Sequence, residues 1–288
     1  MVRWLAKGDP LATSTDTGPA RLLDLFGITA TPGTDLPVAA LARVADMGVI
    51  DNDWWIRADP VCLHPQRDGL ILQRDIGLTA EESAQLVAEL NESLAAEGWL
   101  IKAPHPERWY LKPARAPRLT TTPLAAAVGR NIHTLLPQGE GSRLWHTRFI
   151  ELHILLHTSP VNAAREARGV PPANSVWFWG GGRLPRVTDA VWSAVWTDDP
   201  LALGLARLAD IHAQSPAAYA PGRGRELMVL AQATASVLEQ VTAALDRGAI
   251  RSLLVLMDAG ETRFCLRQHR WRFWRRAQPL PSATAEMA

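Results

Sequence analysis

The sequence predicts an α/β fold, a mixed sheet with helices on both faces, carrying a small inserted α+β domain. Three observations predict it. Short β-prone apolar runs alternate with helix-periodic segments along most of the 288 residues. Residues 54–113 read as a self-contained hairpin, helix and hairpin. Hydrophobic residues make up 47% of the chain, ample for a core, and a chain of this length favours one larger domain with a smaller one attached. The expected division is 1–53 with 114–281 as the main domain, 54–113 as the insertion, and 282–288 as a small, polar, disordered tail.

The elements follow in order. Pro19 to Phe26 is a short helix presenting Leu22, Leu23, Leu25 and Phe26, closed by Gly27. Pro37 to Ala45 fits a strand or a helix. Trp54 to Leu63 is a strand, His64 to Gly69 a turn with an Asp-Gly hairpin signal, and Leu70 to Gln73 the returning strand. Thr79 caps the next helix, with Glu82 completing a capping box and Leu86, Val87, Leu90 and Leu94 as its apolar stripe; Gly98 ends it. Trp99 to Lys102 and Arg108 to Leu111 are strands, and the proline-rich run from Pro113 to Pro123 is a linker. Arg143 to His157 is an amphipathic helix with Trp145, Phe149, Leu152 and Leu156 on one side. Farther on, Ala190 to Trp196, Glu226 to Gln232, Leu253 to Met257 and Arg263 to Leu266 are strands. Pro200 to His212, behind the Asp198-Asp199 cap, and Ala235 to Arg247 are helices. Alternation of this kind implies a parallel or mixed sheet.

Composition narrows the function. A formal net charge of +1 argues against wholesale nucleic-acid binding. Cys62 and Cys265 lie far apart in apolar runs with no metal-type spacing, so they read as buried free thiols in a reducing compartment. The first residues contain no signal-type apolar region, and no run of about 18 apolar residues follows. The expectation is a soluble, cytoplasmic protein without a membrane partner. Twelve tryptophans stand against two tyrosines, a bias toward large buried side chains.

The densest motif is PVNAAREARGVPPANSVWFWGGGRLP, Pro160 to Pro185. Asn162, Arg165 and Arg168 occupy about two turns of helix, which Pro171 and Pro172 must end. Ser175 to Trp179 reads as a buried strand, and Gly180, Gly181 and Gly182 as a turn whose backbone N–H groups can approach a ligand. Glycine-rich backbone with nearby guanidinium groups suits an anion such as a phosphate ester. A packed strand with a tight turn and surface arginines fits equally.

This block resembles the VN-x-x-R … A-N … W-G-x-G segment of archaeal-type, cofactor-independent phosphoglycerate mutases, and is similar to their shorter bacterial relatives, the RpfE-type regulatory protein family. WIRADPVCLHPQRDGLIL (Trp55 to Leu72), PERWYLK (Pro106 to Lys112) and RFWRRAQPL (Arg272 to Leu280) extend the likeness. It implies a truncated alkaline-phosphatase-like body. The mutases use two divalent metals and a serine or threonine nucleophile, the metals stabilising attacking and leaving oxygens of a phosphoryl displacement. Here that pattern is depleted. Gly8-Asp9 reverses the family's early Asp-Gly, no H-x-x-x-T-D-x-x-G-H run exists, and Asp258 is not followed by a histidine to make an Asp-His pair. Asp210 and His212, two apart on the expected helix, would face different directions. The expectation is therefore no metal or other cofactor, with manganese or another divalent ion only if the chain is a working mutase or phosphatase.

The resemblance places Ser14 or Thr15 where the nucleophile would stand; an N-cap cluster is the other reading of Thr13 to Thr17. Arg57 matches the family's small-domain arginine, with Asp59 and Pro60 replacing its asparagine and phenylalanine. It would hold a ligand anion or form an ion pair with Asp59. Arg57, Asn162, Arg165 and Asn174 form the expected anion-binding set for a phosphorylated small molecule. The run from Arg263 to Arg276 holds six arginines among aromatic residues, which suits either an anionic partner surface or a charge-protected edge strand. The resulting expectation is a non-catalytic regulatory or binding protein whose partner is a phosphorylated small molecule or another protein. A metal-dependent mutase or phosphatase, and a protein- or nucleic-acid-binding module using the Arg/Trp run, are the alternatives.

Overall fold

The computed structural model describes residues 7–11, 18–29, 31, 33–67, 69–187, 190–257 and 261–272. It divides into two compact units, 28–187 and 1–27 with 188–288. The chain starts in the second of these with β1 (Asp9–Leu11) and α1 (Gly18–Asp24).

The unit 28–187 is built on β2 (Trp55–Gln66), preceded by α2 (Val38–Met47). After it come β3 (Gly69–Gln73), α3 (Ala80–Leu94), β4 (Leu100–His105), β5 (Arg108–Lys112), β6 (Arg118–Thr120) and α4 (Leu124–Ala127). The unit ends with β7 (Gln138–Glu140), α5 (Ser142–His157), α6 (Pro160–Ala167) and β8 (Ser175–Gly182). β2 is long enough to serve three partners, all antiparallel. Ile56 and Arg57 pair with β5, Cys62 to Gln66 pair with β3, and Trp55 to Val61 pair with β8 along the opposite edge. Pro60 falls between the β5 and β3 ladders, where β2 is paired on one side only and proline is best tolerated in a strand.

This pairing explains why the compact unit differs from the expected insertion at 54–113. β8 is hydrogen-bonded to β2 over most of its length and α2 packs on both, so residues on either side of the expected insertion share its sheet. The expected linker is likewise structured, since β6 within it pairs with β7. The Pro37 segment, open in the sequence, is helical, with Val38 to Val44 buried.

α3 begins as its sequence dictates. Thr79 Oγ1 accepts from Glu82 N (3.1 Å) while Glu82 Oε2 accepts from Thr79 N (3.1 Å), which satisfies two otherwise orphaned donors. Leu86, Val87, Leu90 and Leu94 then face the sheet, joined by Trp145, Phe149, Leu152 and Leu156 of α5. Trp145 has ring neighbours in Trp99 at 4.8 Å, Phe178 at 5.0 Å and Trp54 at 6.2 Å. The tryptophan bias thus has a structural account: edge-to-face and tilted aromatic packing fills this core.

The other unit holds β9 (Ala194–Thr197), α7 (Pro200–Leu208), β10 (Ala213–Gln214), β11 (Glu226–Val229), α8 (Ala235–Arg247), β12 (Ser252–Leu256) and β13 (Thr262–Leu266). Here the parallel pairing expected from strand–helix alternation appears, β9 lying between β10 and β11. β1, β13 and β12 form a separate antiparallel sheet with β13 in the middle. The protected-edge reading of the arginine run therefore fails for β13, which is central. Among the described residues no helix is long and apolar enough to cross a membrane.

Candidate functional site

The Asn162, Arg165 and Asn174 side chains converge on the connection between α6 and β8. Ser159 caps α6 and Pro160 occupies its first turn, where a missing N–H costs nothing. The helix buries Val161, Asn162 and Arg165. Beyond it, residues 171–174 belong to neither helix nor strand, and two prolines deprive them of donors. Side chains supply the missing partners. Asn162 Oδ1 accepts from Ala173 N (2.8 Å), and Asn162 Nδ2 donates to Ala173 O (3.0 Å) and Leu156 O (2.7 Å). Arg165 Nε donates to Pro171 O (3.0 Å). Asn174 pairs like a strand residue with the Leu63 backbone, accepting from its N (2.8 Å) and donating to its O (3.0 Å). His153 Nδ1 lies 2.6 Å from Asn174 O.

Arg165 also reaches the segment ahead of α3. Its guanidinium donates to Ile76 O at 2.5 Å and Gly77 O at 3.4 Å and pairs with Glu82, which in turn pairs with the exposed Arg168. Burial pulls the Glu82 carboxyl upward, but the two guanidinium groups and the Thr79 N–H outweigh it and hold it below the usual glutamate range. One carboxylate therefore completes a helix cap and anchors α6.

Arg57 lies elsewhere. It precedes Leu63 by six positions on β2, roughly 20 Å along an extended strand, so it does not join the other three. Its buried guanidinium, between the Tyr110 and Trp179 rings at 5.2 Å each, donates to Asp59 Oδ1 from Nε (2.9 Å) and Nη2 (2.6 Å). Asp59 also accepts from Trp109 N (3.2 Å) and Trp179 Nε1 (2.7 Å). Burial raises the Asp59 carboxyl above its ordinary range, against the pull of Arg57 and its other donors. Of the two readings open in the sequence, the ion pair is the one observed.

The glycine segment continues β8 instead of turning. A Cβ on Gly181 would fall 2.6 Å from Trp54 Cη2, and one on Gly182 would fall 2.6 Å from Pro37 Cβ. Their smallness admits protein packing. The segment does meet an anion, but an internal one: Asp35 Oδ2 accepts from Gly181 N (3.2 Å) and the Thr121 hydroxyl, while Oδ1 accepts from Thr121 N (2.7 Å). Burial raises the Asp35 carboxyl despite these donors. Sequence reasoning missed Asp35; its signal is only that an anion-seeking backbone segment needs a partner, and the chain's own carboxylates are candidates.

Ser14, Thr15 and Asp258 lie outside the described residues, as does the run from residue 273 onward. Asp210 and His212 are not on a helix, since α7 ends at Leu208 and Asp210 has φ +55° in the following turn. Among the described residues no group of three or more His, Cys, Asp or Glu side chains is placed to hold a metal ion.

No family model matches the chain. It is 37% identical over 90 residues to a probable 2,3-bisphosphoglycerate-independent phosphoglycerate mutase of Geobacter sulfurreducens. Part of the chain is related to cofactor-independent phosphoglycerate mutases. The Geobacter match covers 27% of this chain and 22% of that protein. The corresponding mutase of Methanothrix thermoacetophila is 28% identical over 119 residues, 41% of this chain and 30% of that protein. The matched stretches thus span less than a third of these relatives. Among solved structures, a cofactor-independent phosphoglycerate mutase from Thermoplasma acidophilum aligns over 92% of this chain and 80% of its own at 15% identity, with a TM-score of 0.44.

Proposed function

We propose that this chain is a non-catalytic relative of the cofactor-independent phosphoglycerate mutases, a regulatory or binding protein of the RpfE type acting through a protein partner. One observation carries the reading. Arg57, Asn162, Arg165 and Asn174, which carry the mutase resemblance, all bind groups of the protein itself. On this reading the motif persists because it folds the α6–β8 connection, which a non-catalytic descendant needs as much as an enzyme does. An anion pocket on these residues is not part of the proposal, since a ligand would have to displace backbone carbonyls and buried carboxylates that would then lack partners. The buried thiols Cys62 and Cys265 suit a reducing, cytoplasmic setting.

The test is a coupled mutase assay on 3-phosphoglycerate with added manganese, run beside metal analysis of the purified, folded protein. The expected result is no turnover above background and no stoichiometric metal. Turnover that follows bound manganese would overturn the proposal in favour of a working metal-dependent mutase.

A further inference from the structure

The unit 1–27 with 188–288 carries a feature that the mutase resemblance does not account for. Immediately after β13, residues Arg267–Trp271 form a short 3₁₀ turn. With Arg251, just ahead of β12, this turn lines an open hollow of about 460 Å³. Its walls are Arg251, Arg267, Arg270, Trp271, Gln268 and Leu266.

The arginines here are treated differently from others nearby. Arg263 is paired with Glu261 and Arg272 with Asp9, while Arg21 donates to Thr262. The Arg251, Arg267 and Arg270 side chains have no hydrogen bond or ion pair among the described residues, and Arg270 Nε is buried without a partner. Three like charges lining one hollow repel one another, a cost relieved by an anion seated between them. Trp271 is 68% exposed, with the Arg270 guanidinium 4.7 Å from its ring centroid. The turn holds it there: the buried His269 sits 3.5 Å from Asp9, and Leu266 N donates to His269 Nδ1 at 3.3 Å. An exposed indole beside unpaired guanidinium groups offers a flat apolar face and several charged donors together.

We propose that this hollow binds a nucleoside phosphate, its base stacked on Trp271 and its phosphates held by Arg251, Arg267 and Arg270. The size falls within the usual range for small-ligand sites of roughly 300–1,000 Å³. A single stranded nucleic acid is the less suitable occupant, because such surfaces present successive aromatic platforms along a basic groove and this one offers a single exposed ring. The site is independent of the non-catalytic reading above, as its lining residues lie outside the stretches that carry the mutase resemblance.

The test is calorimetric titration of the full chain with ATP, repeated for Trp271→Leu and Arg267→Ala, both at exposed positions where folding should be unaffected. Parallel titrations use inorganic tripolyphosphate, adenosine and a short single-stranded oligonucleotide. ATP should bind the wild type, with each substitution weakening it at least tenfold and with tripolyphosphate and adenosine each at least tenfold weaker than ATP. Absence of ATP binding overturns the proposal. So does ATP binding unchanged by Trp271→Leu, tripolyphosphate binding equal to ATP, or an oligonucleotide bound more tightly than ATP. Because the readout is binding, its failure leaves the mutase assay untouched.

Discussion

Replacing Asn162 with alanine separates a folding role from a ligand-binding one. Asn162 is buried, and its amide supplies the partners of both Ala173 backbone groups, themselves fully enclosed. Leu156 O, its third contact, also accepts from Thr158 N and Ser159 N and so remains satisfied. Asn162→Ala therefore strands one buried N–H and one buried C=O. At roughly 1–3 kcal/mol for each unsatisfied group, the expected loss is about 2–6 kcal/mol. In a unit of this size that lowers the melting temperature by roughly 5–25 °C. A side chain held ready for a ligand would give the opposite pattern, weak binding with stability within about 0.5 kcal/mol of the parent. The assay is urea unfolding followed by tryptophan fluorescence, reading the midpoint at unchanged slope. Arg168→Ala is the control: this arginine is exposed and shares Glu82 with Arg165, so its loss should cost no more than about 1 kcal/mol. An Asn162→Ala midpoint indistinguishable from the parent's would refute the bracing argument.

Gly181→Ala should destabilise by about 1–3 kcal/mol through overpacking against Trp54. Trp54→Leu in the same chain should recover part of that loss, a coupling that a double-mutant cycle measures and that strict additivity would disprove. Asp35 gives a pH signature. Its folded carboxyl titrates above the ordinary aspartate value of about 4, so the folded state binds the proton more tightly and Asp35 favours folding increasingly as pH falls through its raised folded value toward the unfolded one. Asp35→Asn lacks that increment, so its stability deficit relative to the parent should widen as pH is lowered through this window; a deficit that narrows would sink the assignment. Burial pushes the Cys62 thiol up to about 11. Its alkylation near pH 8 should therefore be slow in the native protein and accelerate in proportion to unfolding, as peptide mapping after iodoacetamide treatment would show.

The parts of the fold legible in the sequence are those where one local rule is enough. Thr79 and Glu82 announce α3 because the cap is a local geometry, and the i, i+4, i+7 and i+11 spacing of Trp145, Phe149, Leu152 and Leu156 announces α5. Misreadings arise where tertiary contacts decide. Gly180 to Gly182 look like a turn because glycine is poor in strands, yet they continue β8 since only glycine admits Trp54 and Pro37 beside it. Residues 54–113 hold a locally complete hairpin–helix–hairpin, and nothing local reveals that β8, more than 100 residues beyond β2, pairs with it.

The same contrast governs the site. Asn162, Arg165 and Asn174 are recognisable as a motif because their spacing recurs, but spacing does not say whether the amides and guanidinium face outward to a ligand or inward to the chain. The answer rests on Pro171 and Pro172. A connection that opens with two residues lacking N–H groups cannot join a ladder there, yet its carbonyls and the Ala173 N–H still need partners once buried. Asn162 and Arg165 stand on the turns of α6 that face this connection, and Asn174 follows it directly. Motif and break therefore form one device: α6 stops at Ala167 with Gly169 in the left-handed region, the prolines beyond it leave carbonyls outside any ladder, Asn162 and Arg165 serve those carbonyls, and Asn174 ties the connection to Leu63 of β2. Replacing both prolines with alanine would restore the donors without removing the braces, so the braces should remain essential for the carbonyls that Asn162 and Arg165 already serve.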